Sequence, residues 1–104
     1  MSAPHGYYYK RALACGVPEH TAAAIDDYIM RGLDPGGFLE AVICNDLFGA
    51  MGRADHDNRA RLFEVCLFFY AEAPLICRGD RETFIAWQCR SGLSGKETDE
   101  GRQD

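Results

Sequence analysis

Apolar residues recur along this chain at intervals of three and four and are interrupted by glycine and proline, a pattern that predicts helices joined by short loops. Tyr7 to Ala14 reads as a short first helix ending at Gly16. From Pro18 to Arg31, Ile25, Tyr28 and Ile29 fall at helical spacing among alanines. Pro18 suits a first turn, where its missing N–H costs nothing, and Gly32 suits the C-terminal cap, with Leu33 as its apolar contact. Asp34 and Pro35 predict the start of a second main helix, in which Phe38, Leu39, Val42, Ile43 and Leu47 form a stripe running to about Met51, with Gly52 at its end.

Asp55 caps a third helix, 55–73, which is apolar on nearly every face through Val65-Cys-Leu-Phe-Phe-Tyr-Ala71. A helix of that kind is expected at the centre, enclosed by the others, and Pro74 stops it. Asp80 starts a last helix holding Phe84, Ile85, Trp87 and Cys89, closed by Gly92. There is no strand-like alternation and no internal repeat. The expected fold is all-α: a compact bundle of four main helices with a short extra N-terminal helix. Residues 1–6 and the acidic tail 93–104 have no apolar period and read as disordered ends of a single helical domain, 7–92.

Composition narrows the class. The chain of 104 residues has room for one domain, and its 47% hydrophobic content excludes global disorder. A net charge of −5 argues against general nucleic-acid binding, which needs a basic stripe to displace counterions. The run Val65 to Ala71 is far shorter than the ~20 apolar residues that span a membrane. Met1-Ser-Ala-Pro-His-Gly6 lacks the basic and apolar regions of a secretion signal. Five cysteines (Cys15, Cys44, Cys66, Cys77 and Cys89) with no C-x-x-C pair read as reduced, mostly buried thiols. Together these features predict a cytoplasmic protein.

The oddity in the pattern is Asn45-Asp46. Asp46 follows Leu39 by seven residues and Ile43 by three, so helical continuation puts it on their apolar stripe, and Asn45 stands likewise to Phe38 and Val42. A carboxylate facing a core is costly unless it is paired. Arg53, Asp55 and Asn58 are the nearby partners. Two readings stand open: a buried network that pins the loop at Arg53, or a polar pocket for a ligand. Gly49 and Gly52 flank the region and fit either close packing or approach of a ligand to bare backbone.

Other constellations are weaker. Pro35-Gly36-Gly37 at a helix start can expose N–H groups to an anion, but no phosphate-loop lysine accompanies it and Asp34 would repel the anion. Arg53, Arg59, Arg61, Arg78 and Arg81 can meet phosphates or simply keep the surface soluble. Asp55-His56-Asp57-Asn58 does not continue as a calcium loop, since Arg59 stands where glycine is needed. His5, His20 and His56 lack metal-ligand spacing, and no cysteine sits in a nucleophile turn. Neither a metal nor a cofactor is expected. The run Tyr7-Tyr8-Tyr9 fits an oligomer contact, a stacking surface or an anchor of the first helix.

The string Gly32-Leu-Asp-Pro-Gly-Gly-Phe-Leu-Glu-Ala-Val-Ile-Cys-Asn-Asp-Leu47, followed by Gly52-Arg-Ala-Asp-His-Asp-Asn58, resembles a widespread family of small phage and prophage proteins. The similarity covers about residues 17–90. Its motif positions here are Phe38, Leu39, Asn45, Asp46, Leu47, Arg53, Ala54, Asp55, Asn58, Pro74, Gly79 and Trp87. This chain departs from the family at Tyr70-Ala71 and at Arg78-Gly79-Asp80. The resemblance implies an accessory protein of a bacterial virus, acting in the host cytoplasm, and it carries over no catalytic residues.

Such a setting points to a non-enzymatic, homo-oligomeric anti-defence protein that sequesters a small anionic ligand such as a nucleotide immune messenger. Asn45, Asp46, Arg53 and Asn58 are the expected lining, with Phe48 or Tyr70 as a stacking aromatic. The alternatives are an interaction module that inhibits a host defence protein, and a small hydrolase that degrades the messenger.

Overall fold

A computed structural model describes residues 6–95, so the expectations for residues 1–5 and 96–104 lie outside the described residues. Every regular element among the described residues is helical. The order is α1 (Tyr7–Ala14), α2 (Glu19–Arg31), α3 (Gly37–Ile43), α4 (Leu47–Arg53), α5 (His56–Ala60), α6 (Leu62–Ala71), a 3-10 turn (Leu75–Cys77) and α7 (Arg81–Cys89). A helical turn over 92–95 follows, with Leu93 packed against the core.

The all-α class holds, but the count of four main helices does not, because two of the expected helices are each broken in the middle. The first break falls at Asn45, whose backbone takes the left-handed conformation at φ 66°. The Asp46 N–H turns back to Ala41 O at 2.8 Å and closes α3. The Asp46 carboxylate then caps α4 by accepting from Gly49 N–H at 2.9 Å. Asparagine tolerates the left-handed region and aspartate is a strong N-cap, so the pair is a turn-and-cap signal. The expectation that Asn45 and Asp46 face the core is therefore corrected: both are exposed. The second break is at Arg61, between α5 and α6.

The predicted start at Asp34 also moves. Its carboxylate accepts from Gly36 N–H at 3.0 Å, making a turn ahead of the helix, and α3 begins at Gly37. Asp55 and Asp80 cap α5 and α7 as the sequence predicts, accepting from Asn58 N–H and Thr83 N–H, each at 2.8 Å.

α6 is not the enclosed centre that its composition predicts. Val65, Phe68 and Phe69 are buried, whereas Phe63 and Tyr70 are 73% and 76% exposed. A chain of this size does not have enough layers to cover an apolar helix all round. The centre is α2, where Ala22, Ile25, Tyr28 and Ile29 are fully buried. Its Tyr28 hydroxyl donates to Cys77 O at 2.8 Å, and the Tyr28 ring stacks on Phe84 with centroids 5.7 Å apart. Tyr28 O, one of the carbonyls in the last turn of α2, accepts from the Trp87 indole at 2.9 Å.

The ends of α2 and α7 meet backbone to backbone at Gly32 and Gly92. Gly32 is left-handed at φ 71°, and a Cβ there would lie 2.9 Å from Gly92 N, so any side chain is excluded. Leu33 is exposed and does not cover this cap. The Arg81–Glu40 ion pair at 2.7 Å ties α7 to α3. No described helix is long and apolar enough to cross a membrane. All five cysteines are free: Cys77 is buried, Cys89 is exposed, and the others lie between.

Candidate functional site

A cavity of about 190 Å³ opens where the first turn of α2, the glycine turn before α3, the end of α4 and the start of α5 converge. α2 contributes His20 and Thr21, and α5 contributes Asn58. The Asp55 cap fixes the direction of α5 and so turns Asn58 inward. There its side-chain oxygen accepts from the Thr21 hydroxyl at 2.6 Å, in a buried bond. The other carboxylate oxygen of Asp55 lies 3.2 Å from His20 Nε2. The Asn58 N–H, and secondly His20, hold the Asp55 carboxyl below its ordinary range, so it is ionised at neutral pH.

Arg53 closes the opposite wall from the last residue of α4. Its side chain lies over two glycines. A Cβ on Gly37 would come within 3.2 Å of Arg53 Cδ. A Cβ on Gly49 would collide with the Asp46 carboxylate and come within 3.0 Å of Arg53 Nη1. The two glycines leave the space that the Arg53 side chain and the Asp46 cap occupy, which is what offsets the helix-weakening Gly49. A Cβ on Gly52 would touch nothing within 4 Å, so no packing accounts for that residue. Arg53 makes no hydrogen bond or ion pair with the described residues.

Of the residues singled out in the sequence, Arg53 and Asn58 line the cavity. Asp46 stands beside Arg53 across Gly49 but outside the lining, and Asn45 forms the exposed turn before it. Phe48 is 82% exposed, and Tyr70 lies on α6 with the Arg78 guanidinium 6.0 Å from its ring centroid. Neither aromatic reaches the cavity.

His20 and Thr21 belong to the cavity although the sequence reading gave them no role in it. Thr21 carried a usable signal, since it lies four residues before Ile25 on the buried face of α2. A wider, shallower hollow of about 690 Å³ adjoins through His20 and is lined also by Tyr9, Glu19 and Asp57.

Chemically the cavity offers a cation without a partner among the described residues, an imidazole held by a carboxylate, and a buried hydroxyl–amide pair. Arg53 can bind an anionic oxygen. Thr21 already donates its proton to Asn58, and among the described residues no cysteine or serine lines the cavity. Among the described residues no three His, Cys, Asp or Glu side chains converge as metal ligands. No family model, curated protein or solved structure matches the chain.

Proposed function

We propose that this chain is a non-enzymatic binding protein of a bacterial virus that sequesters a small anionic ligand, such as a nucleotide immune messenger, at the cavity beside Arg53. The observation that carries this reading is Arg53 itself: a guanidinium without a partner among the described residues, laid on glycine backbone at the wall of a polar cavity. At about 190 Å³ the cavity is below the usual size of a ligand pocket, about 300 Å³ or more, so it takes an anionic group while the rest of the ligand lies in the adjoining hollow at His20. The phage setting rests on the motif resemblance, and the host cytoplasm follows from that setting.

The test is a thermal-shift panel of cyclic dinucleotides, linear oligonucleotides and ADP-ribose-type messengers. At a ligand concentration of ~100 times Kd, stabilisation by about 2.7 kcal/mol is expected. Mass spectrometry of the ligand released on denaturation should find it intact, and Arg53→Gln should remove the shift. A panel with no shift at all sinks the reading.

A second reading, inhibition of a host protein, is favoured by the exposed aromatics Phe48 on α4 and Phe63 and Tyr70 on α6, large apolar side chains left in water where a partner can cover them. Serine in place of each should abolish retention of that protein in a pull-down from host lysate.

A further inference from the structure

On the far side of the fold from the first turn of α2, the 3-10 turn and α7 enclose a groove of about 370 Å³. Leu75, Ile76 and Ala86 form its apolar walls, the buried Trp87 lies beneath as its floor, and Arg78 and Arg90 form its charged walls. Among the described residues no acidic side chain lines it, although the whole chain carries a net charge of −5. The two arginines are built in. Arg78 is held by its Nε, which donates to Phe69 O at 2.8 Å, while its guanidinium faces the Tyr70 ring. Arg90 lies over the Trp87 ring, 4.6 Å from the centroid, with its Nε on Gly92 O at 3.2 Å. Its buried Nη2 has no hydrogen-bond partner among the described residues. Neither arginine forms an ion pair among the described residues, unlike Arg11, Arg31, Arg61 and Arg81.

The walls stand unusually far into water, with Leu75 72% exposed. A groove with such open walls cannot enclose a small molecule, whose surface a pocket normally buries by about 70–90%. The described residues offer no strand edge for an extended peptide to pair with. A helix, which satisfies its own backbone bonds, can be laid in the groove with apolar anchors at successive turns.

We propose that this groove docks an acidic amphipathic helix of a partner protein, its apolar stripe seated on the exposed Leu75 and Ile76 and its flanking carboxylates on Arg78 and Arg90. Carboxylates match planar guanidinium groups, and they reverse the sign of the groove on a chain that repels acidic proteins overall. The inference rests on the second reading, binding of a protein, and is independent of the cavity at Arg53.

Trp87 is the single tryptophan and lies beneath Arg90, so its fluorescence reports on an occupant that draws the Arg90 guanidinium off its ring. The probe is a synthetic helical peptide of about 18 residues, long enough to hold a helix, with a leucine stripe flanked by glutamates. A lysine-flanked version and a version with serine in place of leucine are the controls. Titrating the glutamate–leucine peptide should shift Trp87 emission saturably, and the controls should not. Affinity should fall about tenfold in Arg78→Gln and more in Leu75→Glu. Leu75 is exposed, so the latter variant keeps its fold, which circular dichroism verifies.

Equal binding of the lysine-flanked peptide, unchanged affinity in Leu75→Glu, or no response overturns the groove as the docking site. A host partner whose retention in the pull-down survives Leu75→Glu but not Phe48→Ser would overturn the groove and leave the second reading standing. The absence of any host partner would remove the second reading itself.

Discussion

At the scale of single residues, Asn45 and Asp46 show how one local choice redirects the chain. Read by helical periodicity, the pair is a polar anomaly on an apolar stripe. In the structure it is the punctuation between α3 and α4, and its cost as a buried charge disappears because it is not buried. The coupling of Asp46 to Gly49 makes a sharp prediction. Alanine in place of an exposed helical glycine normally stabilises by ~1 kcal/mol, and loss of an aspartate N-cap costs ~1 kcal/mol. In this protein a Cβ at Gly49 displaces the capping carboxylate, so Gly49→Ala should gain nothing or lose. In an Asp46→Ala background the same change should stabilise by about 1 kcal/mol. Urea unfolding of the four proteins of the cycle measures the coupling, and strict additivity would refute it.

At the scale of elements, α1 depends on a residue far from it in sequence. An eight-residue helix is too short to stand alone in water, and α1 has no capping side chain of its own. Its cap comes from Asp26 in α2, whose buried carboxylate accepts from Gly6 N–H at 3.3 Å and from Tyr9 N–H at 3.2 Å. The exposed Arg11–Glu72 pair, bidentate at 3.2 and 3.0 Å, is the weaker anchor at the other end. Asp26→Ala should therefore cost about 1–3 kcal/mol and release α1 first. Hydrogen exchange is the measurement: amides 10–14 should lose protection while those of α2 keep most of theirs. Equal loss in both helices would mean that Asp26 holds the core and not α1. Asp26 was legible as an acid at helical spacing between Ala22 and Ile29. Its partner was not, because nothing local says that the start of another helix will lie against it.

At the scale of the whole molecule, three carboxylates that cap or join helices are held below their ordinary range. Asn58 N–H lowers Asp55, Arg11 lowers Glu72, and Thr83 lowers Asp80. A carboxyl whose folded pKa is depressed binds its proton more readily in the unfolded chain. Its contribution is complete above the ordinary values of 3.8 for aspartate and 4.5 for glutamate, and disappears as pH falls through the lowered ones. The melting temperature should therefore drop through this acid range, and the drop should be shallower in an Asp55→Asn, Asp80→Asn double variant. An unchanged acid limb in that variant would show that these caps do not govern the response. Burial pushes the Cys77 thiol up to about 12, so this cysteine should resist alkylation until the fold opens, while the exposed Cys89 reacts.

Local order in this protein follows from bonds that span three or four residues. The helical class, the caps at Asp55 and Asp80 and the left-handed stop at Gly32 need no distant partner, and all are readable in the chain. Even the break at Asn45 is local; periodicity outweighed a turn signal that was present. Burial and convergence are different in kind. Which face of α6 is covered depends on how many layers the rest of the chain can supply, and composition alone assigns every face to the core. Thr21 meets Asn58 across 37 positions, and Arg53 finds its seat on Gly37 only once α3 and α4 have packed. Those contacts carry no period, because they are set by where whole helices come to rest and not by the residues on either side.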